Sequence, residues 1–277
     1  MIALIGAGLL GSGMVARLRA RGEAVRVWNR TASKLAPLEA LGAERAESLD
    51  DLRRPDVTRI HLVLTADDAV DATVEALGPV TVPLVDHSTN LPERVAERYQ
   101  RLRAAGIRYT HAPVFMSPAN AREGTGLMLV AGADGDALTT ALAPMTGKVW
   151  NVGPRPDLAA VYKLLGNATM LSMTGVLGDL LKMGAGEGLT PVDTLALFDH
   201  FRPQGWTPAM APRILAAAEG PASFELTMAH KDVCLAIATA RGADLAVLPG
   251  VEEAMASAMR EGLATRDYAI FALDRRG

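Results

Sequence analysis

The sequence predicts an α/β N-terminal domain followed by an all-α C-terminal domain, joined by a long interdomain helix. Short apolar runs alternate with helical patterns as far as about residue 151, and strand candidates nearly vanish beyond it. A long helical pattern then fills residues 157–183. Strands that alternate with helices are typical of βαβ units and of a mostly parallel sheet covered on both faces. We place the domains at residues 1–154 and 155–277.

The strands of the first domain are predicted from short apolar runs that precede helical patterns. Residues 2–5 form the first run, and Leu10, Met14 and Leu18 follow it on one face of a helix. The further strand candidates are residues 24–28, 60–64, 82–86, 107–110 and 126–132.

The second domain is predicted to begin after a segment with two prolines and a glycine, residues 151–157, which is typical of a domain junction. The long helix follows, and the glycine-rich residues 184–188 end it. Thr190 and Pro191 then form a favourable start for the next helix.

Composition and charge exclude several classes of protein. Hydrophobic residues make up 49% of the 277 residues and charged residues 21%, which predicts a folded core and argues against disorder. The net charge of −3 argues against general nucleic-acid binding, which needs an excess of basic side chains.

Cysteine usage and the N-terminus favour a cytoplasmic location. The single cysteine, Cys234, can form neither a disulfide framework nor a cysteine zinc site. The N-terminus lacks the pattern of a signal peptide. The longest apolar window, residues 164–181, contains Asn167 and Asp179, so we expect no membrane span.

A glycine loop follows the first predicted strand and opens the first predicted helix. Residues 6–11 match G-x-G-x-x-G, the pattern that binds a dinucleotide in this context. Gly6 permits the tight turn, Gly8 lets the backbone approach a pyrophosphate, and Gly11 allows the helix to pack closely on the strand. The free amides at the helix N-terminus favour the phosphate charge. We therefore predict a Rossmann-type domain whose cofactor contacts are Gly6, Gly8, Leu9, Leu10 and Gly11.

The end of the second predicted strand indicates which dinucleotide binds. An NAD site usually places a carboxylate there for the ribose hydroxyls, whereas this chain has Asn29, Arg30 and Thr31, with Lys34 one turn on. Arg30 can pair with a 2′-phosphate, and Asn29 and Thr31 can donate to it. We therefore predict a preference for NADPH over NADH. The alternative is that Arg30 is a solvated surface charge.

Four further segments carry a resemblance to a known family. They are residues 86–92, "DHSTNLP"; residues 112–114, "APV", which run on into residues 124–132; Lys163 with Asn167; and residues 231–236, "KDVCLA". Together with the glycine loop, these segments resemble the β-hydroxyacid dehydrogenase family. That family includes 3-hydroxyisobutyrate dehydrogenase and tartronate semialdehyde reductase-type enzymes and belongs to the 6-phosphogluconate dehydrogenase NAD-binding superfamily. The resemblance spans nearly the whole chain.

The resemblance implies an oxidoreductase with roles for particular residues. Lys163 would be the general acid/base and Asn167 would help to hold the substrate. Ser88 would lie in the substrate site, on the loop after a strand where α/β sheets bind ligands. The resemblance further implies a homodimer or homotetramer that pairs through the helical domain. The residues that would approach the cofactor are Thr89, Lys231, Leu64 and Thr65.

The chemistry of Lys163 is consistent with that role. When a carbonyl is reduced, the developing alkoxide needs a proton, and a lysine ammonium can supply it. Burial that lowers the lysine pKa towards the operating pH favours this exchange. Lys163 lies on an apolar helix, and Asn167 shares its face at a spacing of four. The alternative is a lysine that reaches solvent from the domain surface.

The chain departs from the family where the substrate would bind. The family usually has S-G-G after "APV", whereas here Phe115, Met116 and Ser117 follow, and His111 stands where the family usually has Asp. We assign the three residues 115–117 to the substrate site. The change leaves two alternatives open: a larger or less polar carbonyl compound or an imine, or a repacked loop that still binds a hydroxy acid. Ser117 is a candidate to restore one hydrogen-bond donor.

Further histidine, charged and aromatic residues are candidates for structural or binding roles. We expect His87 and His230 to be structural, Lys231 and Asp232 to be either a cofactor contact or an exposed pair, and no metal to bind. Phe198, His200, Phe201 and Trp206 could line the substrate pocket, the core or a dimer interface. The alternatives to a dehydrogenase are an imine reductase-like enzyme on the same fold and a non-catalytic dinucleotide-binding scaffold.

Overall fold

The computed structural model describes residues 1–201 and 212–273 of the chain. It divides into two compact units, Met1–Asn167 and Ala168–Gly277. The division falls within a single long helix, whereas the sequence places the boundary ahead of that helix. The domain boundary at residues 154 and 155 therefore stays a prediction.

The first unit contains a parallel sheet of six strands in the order β3-β2-β1-β4-β5-β6. This is the strand order of a Rossmann fold, and it reverses beside β1, where Ile2 pairs with Val25 on one side and Arg59 on the other. The predicted Rossmann-type fold is confirmed. The strands are β1 Ile2–Ile5, β2 Val25–Trp28, β3 Glu44–Arg45, β4 Arg59–Leu62, β5 Leu84–Asp86 and β6 Tyr109–His111.

Helices cover both faces of this sheet because its strands are apolar on both sides. One core cluster contains Leu4 and Val27 with Met14, and the other contains Ile5 and Leu62. Such burial on both faces explains the continuous apolar runs in the sequence. The helices of this part of the chain are α1 Leu9–Ala20, α2 Ala36–Glu39, α3 Asp67–Leu77, α4 Pro92–Ala104, α5 Pro118–Glu123 and α6 Gly135–Leu142.

A second, smaller sheet in unit 1 has three strands: β7 Val114–Phe115, β8 Leu127–Val130 and β9 Lys148–Asn151. Strand β7 pairs antiparallel with β8, and β9 pairs parallel with it. The sequence predicted β8 but missed β3, β7 and β9. These strands are short, and neither β3 nor β9 has the run of buried residues that marked the others.

Helix α7, Leu158–Gly186, confirms the predicted long helix. By length and composition alone it is apolar enough to cross a membrane, and 6% of its most apolar stretch is buried. One such helix is weak support for a membrane span, and the absence of membrane association stays a prediction. The helices that follow are α8 Pro191–Leu195, α9 Leu197–His200, α10 Leu226–Thr239 and α11 Leu248–Arg260.

The start of α8 follows the sequence closely. The Thr190 hydroxyl accepts a hydrogen bond from the Asp193 amide, and the Asp193 carboxylate accepts one from the Thr190 hydroxyl. This reciprocal capping confirms that Thr190 and Pro191 start a helix.

Candidate functional site

The glycine loop joins β1 to α1, and two of its glycines are required by close backbone contacts. A Cβ on Gly6, whose φ is +111°, would collide with the Val63 carbonyl oxygen, and a Cβ on Gly11 would collide with that of Gly6. A Cβ on Gly8 would meet nothing within 4 Å. The open side of the loop therefore lies at Gly8, where the sequence predicts a pyrophosphate.

The N-terminus of α1 is free of side-chain caps. The N-cap residue is Gly8, which has no side chain to accept a hydrogen bond from the first amides of the helix. The first turn contains no acidic residue. Its amides are therefore available to an anion, as at other dinucleotide sites. Leu9 is 81% exposed on this turn, which is unusual for a leucine without a partner surface.

A cavity of about 400 Å³ extends from the glycine loop along the end of β2 and is large enough for part of a dinucleotide. It brings together many of the predicted cofactor contacts. Its far wall, which the sequence analysis missed, is formed by small residues of α3: Ala69, Ala72, Thr73 and Ala76. Their helical spacing was a usable signal. The predicted residues that line the cavity are Gly6, Gly8, Asn29, Arg30, Thr31, Leu64 and Thr65.

Among the residues that the structure describes, the lining of this cavity carries positive charge and no carboxylate. Arg30 and Lys34 contribute two exposed cations. Asn29 ties the loops together, because its Oδ1 accepts from the Ala7 amide at 2.9 Å and its Nδ2 donates to the Thr31 carbonyl at 2.9 Å. Asn29 thus holds the glycine loop to the end of β2. The donor set of this region fits an anionic dinucleotide.

The loop after β5 carries the "DHSTNLP" motif, and Asp86 shapes it. The buried Asp86 carboxylate accepts from the Ser88 amide at 2.9 Å, from Asn90 Nδ2 at 2.7 Å and from the Tyr109 hydroxyl at 2.8 Å. The Arg98 guanidinium lies 3.8 Å away. Burial and the Asp86 charge raise the pKa of Tyr109, so its hydroxyl remains a donor to this carboxylate.

Within this loop, Ser88 and Thr89 differ. Ser88 is buried; its hydroxyl accepts from the Leu64 amide at 3.1 Å, and its carbonyl accepts from His111 Nε2 at 2.9 Å. Thr89 is exposed and is therefore the residue of this pair whose side chain reaches solvent. Ser88 links the loops after β4 and β5, and His111 holds the loop after β5. The assignment of Ser88 to the substrate and of Thr89 to the cofactor stays a prediction.

Lys163 lies in the second turn of α7 and is buried, with 9% of its surface exposed. Its Nζ donates to Asn167 Oδ1 at 2.9 Å, so the two predicted catalytic residues are in direct contact. Burial lowers the pKa of Lys163. Among the described residues of unit 1, no carboxylate forms an ion pair with this ammonium. Within this part of the chain it is thus a desolvated amine without a counter-ion, the condition that a lysine acid/base needs.

The segment at residues 115–117 presents an apolar surface. Phe115 and Met116 are partly buried, and the Phe115 ring faces the Lys163 ammonium. Ser117 caps α5: its hydroxyl donates to Asn120 Oδ1 at 2.7 Å and accepts from the Asn120 amide at 3.1 Å. The cap thus engages the Ser117 hydroxyl, the donor that the sequence left open for a substrate.

Lys231, in unit 2, is exposed and forms an ion pair with Asp232 at 3.0 Å. Its assignment to the cofactor stays a prediction. Next to it, His230 Nε2 lies 2.7 Å from Glu252 Oε1, and the Cys234 sulfur lies 3.9 Å from either ring nitrogen of His230. These three ligand-type atoms lie within 4.8 Å of one another. The sequence missed this cluster because Glu252 comes from another helix.

The aromatic residues near the end of α9 do not resolve the alternatives left by the sequence. Phe198 is partly buried, and His200 and Phe201 are exposed. Trp206 lies outside the described residues. Their roles in a pocket, a core or an interface stay open predictions.

Comparison with known proteins identifies the first unit. Residues 1–153 match the family model described as the NAD binding domain of 6-phosphogluconate dehydrogenase. The chain is 25% identical over 258 residues to 3-hydroxyisobutyrate dehydrogenase of Pseudomonas aeruginosa. The aligned region covers 87% of this chain and 85% of that protein. These matches show the family that the motifs of the sequence resemble.

Two further matches extend the comparison. The chain is 34% identical over 142 residues to the cytokine-like nuclear factor N-PAC of Xenopus tropicalis, which covers 48% of this chain and 26% of that protein. The chain thus spans about a quarter of the length of this relative. The solved structure of Streptomyces aurantiacus imine reductase is similar, with a TM-score of 0.88 at 23% identity and 98% of each chain covered. At 23% identity, this similarity shows that the two proteins share a fold.

Proposed function

The chain belongs to the family described by the NAD binding domain of 6-phosphogluconate dehydrogenase, and we propose that it is an NADPH-preferring oxidoreductase. It transfers hydride between the nicotinamide and a small carbonyl or hydroxy compound, with Lys163 as general acid/base. The observation that carries this proposal is the buried Lys163 ammonium, which has Asn167 as its hydrogen-bond partner and a pKa lowered by burial.

The reaction divides between the cofactor and the chain. When bound, the nicotinamide supplies or accepts the hydride. Lys163 Nζ donates a proton to the carbonyl oxygen during reduction and takes it back during oxidation. Asn167 fixes the direction of Nζ, because the hydrogen bond to its Oδ1 occupies one of the three donors of the ammonium. The other donors remain for the substrate oxygen.

A substrate screen tests this proposal. Purified protein and NADPH are mixed with small aldehydes, keto acids and imines, and the loss of NADPH absorbance is followed; hydroxy acids are tested with NADP⁺. We expect turnover of a carbonyl or hydroxy compound. Turnover of imines alone would favour the imine reductase-like alternative, which an ammonium disfavours because it repels an iminium cation. Tight NADPH binding without any turnover would favour the scaffold alternative.

The nucleotide preference is a separate part of the proposal. Arg30 and Lys34 lie at the cavity wall where a 2′-phosphate would bind, and no carboxylate of that wall would repel it. Fluorescence titration should show tighter binding of NADPH than of NADH. Arg30→Ala should weaken NADPH binding by about 10- to 100-fold and leave NADH binding nearly unchanged. Arg21→Ala, an exposed arginine outside the cavity wall, is the control. Tighter NADH binding by the wild type would contradict this part.

We also propose that the chain assembles as a homodimer or homotetramer through its helical part. Leu165, Met170, Leu171 and Met173 on α7 are each more than half exposed, a large apolar surface for one chain in water. Light scattering after size exclusion should therefore show an oligomer, and Leu171→Asp should dissociate it. Leu41→Asp, at an exposed leucine of unit 1, is the matched control. A monomer at micromolar concentration would contradict the assembly. Cytoplasmic location and the absence of nucleic-acid and membrane partners stay predictions.

A further inference from the structure

The turn of α7 that carries Lys163 also carries a glycine that makes room for an aromatic ring. A Cβ on Gly166 would lie 2.6 Å from Cε1 of Phe115 and still closer to Cζ. Real Cβ atoms do not approach so closely, so any larger residue at position 166 would displace the ring. Glycine is otherwise unfavourable inside a helix, by about 1 kcal/mol relative to alanine. The contact gives a reason for its presence.

The same ring faces the Lys163 ammonium. Nζ lies 4.3 Å from the centroid of the Phe115 ring, well within the range of a cation–π interaction. Asn167 Oδ1 holds Nζ by a hydrogen bond. Among the described residues of unit 1, no Asp or Glu forms an ion pair with Lys163, and burial is the influence that shifts its pKa. Ring and amide are therefore the groups that position the amine.

The position of the ring is fixed by the second sheet. Phe115 ends β7 and pairs with Leu127 of β8, and its side chain packs with Leu129 and Ala159, both fully buried. The next residues offer a substrate no free side-chain donor: Met116 has a thioether, and the Ser117 hydroxyl is engaged in the cap of α5. A carboxylate bound against this segment would lose its hydration and gain no side-chain hydrogen bond from it.

We propose that Phe115, seated on Gly166, is a positioning residue for Lys163 and selects uncharged carbonyl substrates over carboxylates. This inference rests on the proposed function, because it takes Lys163 as the acid/base. In the reduction, the carbonyl carbon gains a C–H bond and the C=O π bond breaks; the hydride would come from a C–H bond of NADPH, which would be oxidised to NADP⁺. The carbonyl oxygen then forms an O–H bond with a proton from Nζ, and the neutral amine regains its proton from solvent.

The ring has two physical effects at this amine. Its negative face stabilises the ammonium and opposes the influence of burial, so Lys163 stays protonated to a higher pH than burial alone would allow. Its apolar edge makes the adjacent space unfavourable for an anion but favourable for the alkyl part of a ketone or aldehyde. The first effect predicts a change in pH profile, and the second predicts a change in specificity.

The pH profile and a glycine substitution test the positioning role. In Phe115→Leu, the basic limb of kcat/KM for reduction should move to lower pH by about one unit. Gly166→Ala should lower kcat/KM at least tenfold by displacing the ring, and Phe115→Ala in that background should lower it little further, because the ring no longer positions the amine. Gly178→Ala on the same helix, where a Cβ would meet nothing within 4 Å, is the matched control.

Specificity is tested with levulinate and its uncharged methyl ester, two ketones that differ in a carboxylate. The wild type should prefer the ester, and Phe115→Ser should shift the ratio of their kcat/KM values towards levulinate by about tenfold. A wild-type preference for levulinate would overturn the inference. So would an unshifted pH profile in Phe115→Leu together with full activity in Gly166→Ala, provided that Lys163→Met is inactive. Activity retained in Lys163→Met would instead refute the proposed function itself.

Discussion

Two sets of buried nitrogen-bearing side chains in unit 1 differ in how completely their hydrogen-bonding groups are paired. Arg59 Nε donates to His61 Nε2 at 2.9 Å, His61 Nδ1 lies 2.8 Å from His87 Nε2, and His87 Nδ1 lies 2.7 Å from the Ala112 carbonyl. One assignment of protons satisfies this chain: both rings are neutral and carry their proton on Nδ1. Every ring nitrogen is then used. Lys163, in contrast, has three donors and Asn167 as its hydrogen-bond partner among the described residues of unit 1.

Buried polar groups whose hydrogen bonds are complete stabilise the fold, whereas a buried polar group with donors left over can bind a reactant. The histidine chain and Asp86 have their hydrogen-bonding capacity met by the protein, so they stabilise the sheet and its loops. Lys163 keeps donors that the described residues of unit 1 do not satisfy, which is unfavourable for folding and useful for binding a reacting oxygen. Substitutions in the first group should therefore change stability, and a substitution of Lys163 should change activity.

The largest effect on stability is expected at Asp86. Asp86→Ala removes the buried acceptor of Ser88, Asn90 and Tyr109. It also removes one of the carboxylates around the buried Arg98, which keeps its ion pairs with Asp67 and Asp71. We expect a loss of roughly 3–5 kcal/mol in the free energy of unfolding, measured by urea denaturation. Asp68→Ala, at a carboxylate that is 92% exposed in its ion pair with Arg94, should change stability little. Equal effects of the two substitutions would show that Asp86 does not stabilise the fold more than an exposed carboxylate does.

The next effect is a loss of stability in acid. Burial lowers the pKa of His87 to about 4, and that of His61 lies well below 6.5. The unfolded chain binds protons below about pH 6.5 that the folded chain does not bind until about pH 4. Stability should therefore be fully present above pH 6.5 and fall towards pH 4, by about 3 kcal/mol for His87 alone.

Denaturation at a series of pH values measures this dependence. His87→Leu should flatten the curve between pH 6.5 and 4, whereas His200→Gln, at an exposed histidine, should leave it unchanged. A wild-type curve that is flat over this range would show that the chain of rings accepts a proton in the folded state. His61 and His87 would then not be the neutral, fully hydrogen-bonded residues that stabilise the sheet.

The smallest effect is expected at the cluster of His230, Cys234 and Glu252 in unit 2. His230 already has a partner in Glu252, and all three residues are partly or largely exposed. We predict that prolonged dialysis against EDTA leaves both turnover and melting temperature unchanged. A fall in turnover or in melting temperature that Zn²⁺ restores, and that EDTA does not cause in Cys234→Ser, would contradict the prediction that no metal binds.

Much of the fold was predictable because local sequence and tertiary structure agree. The glycine loop, the buried strand Ile2–Ile5, the long helix α7 and the cap at Thr190 each carry a pattern that fits one structure. The contact between Lys163 and Asn167 was likewise predictable, since a spacing of four places them on one helix face.

Other features depend on contacts between distant segments. Strand β7 has two residues, too few for a periodic pattern, and it carries Phe115 onto α7. The sequence marks Gly166 as a helix-interior glycine but does not name its partner. His61 and His87 each look like an isolated histidine, and pairing of β4 with β5 is needed to join them. The roles of Asp86 and Ser88 in shaping loops became visible only with their partners in place.

We propose that Lys163 serves catalysis and not the stability of the fold, and the substitution Lys163→Met separates these two roles. The substitution keeps the length of the side chain and removes its charge and donors. Turnover of the best substrate should fall by about 10²- to 10⁴-fold, while the affinity for NADPH stays the same. The free energy of unfolding should be unchanged or higher, because the substitution removes a buried charge that has no counter-ion among the described residues of unit 1. Wild-type turnover in this variant would show that Lys163 is not the acid/base, and a large loss of stability would show that it serves the fold.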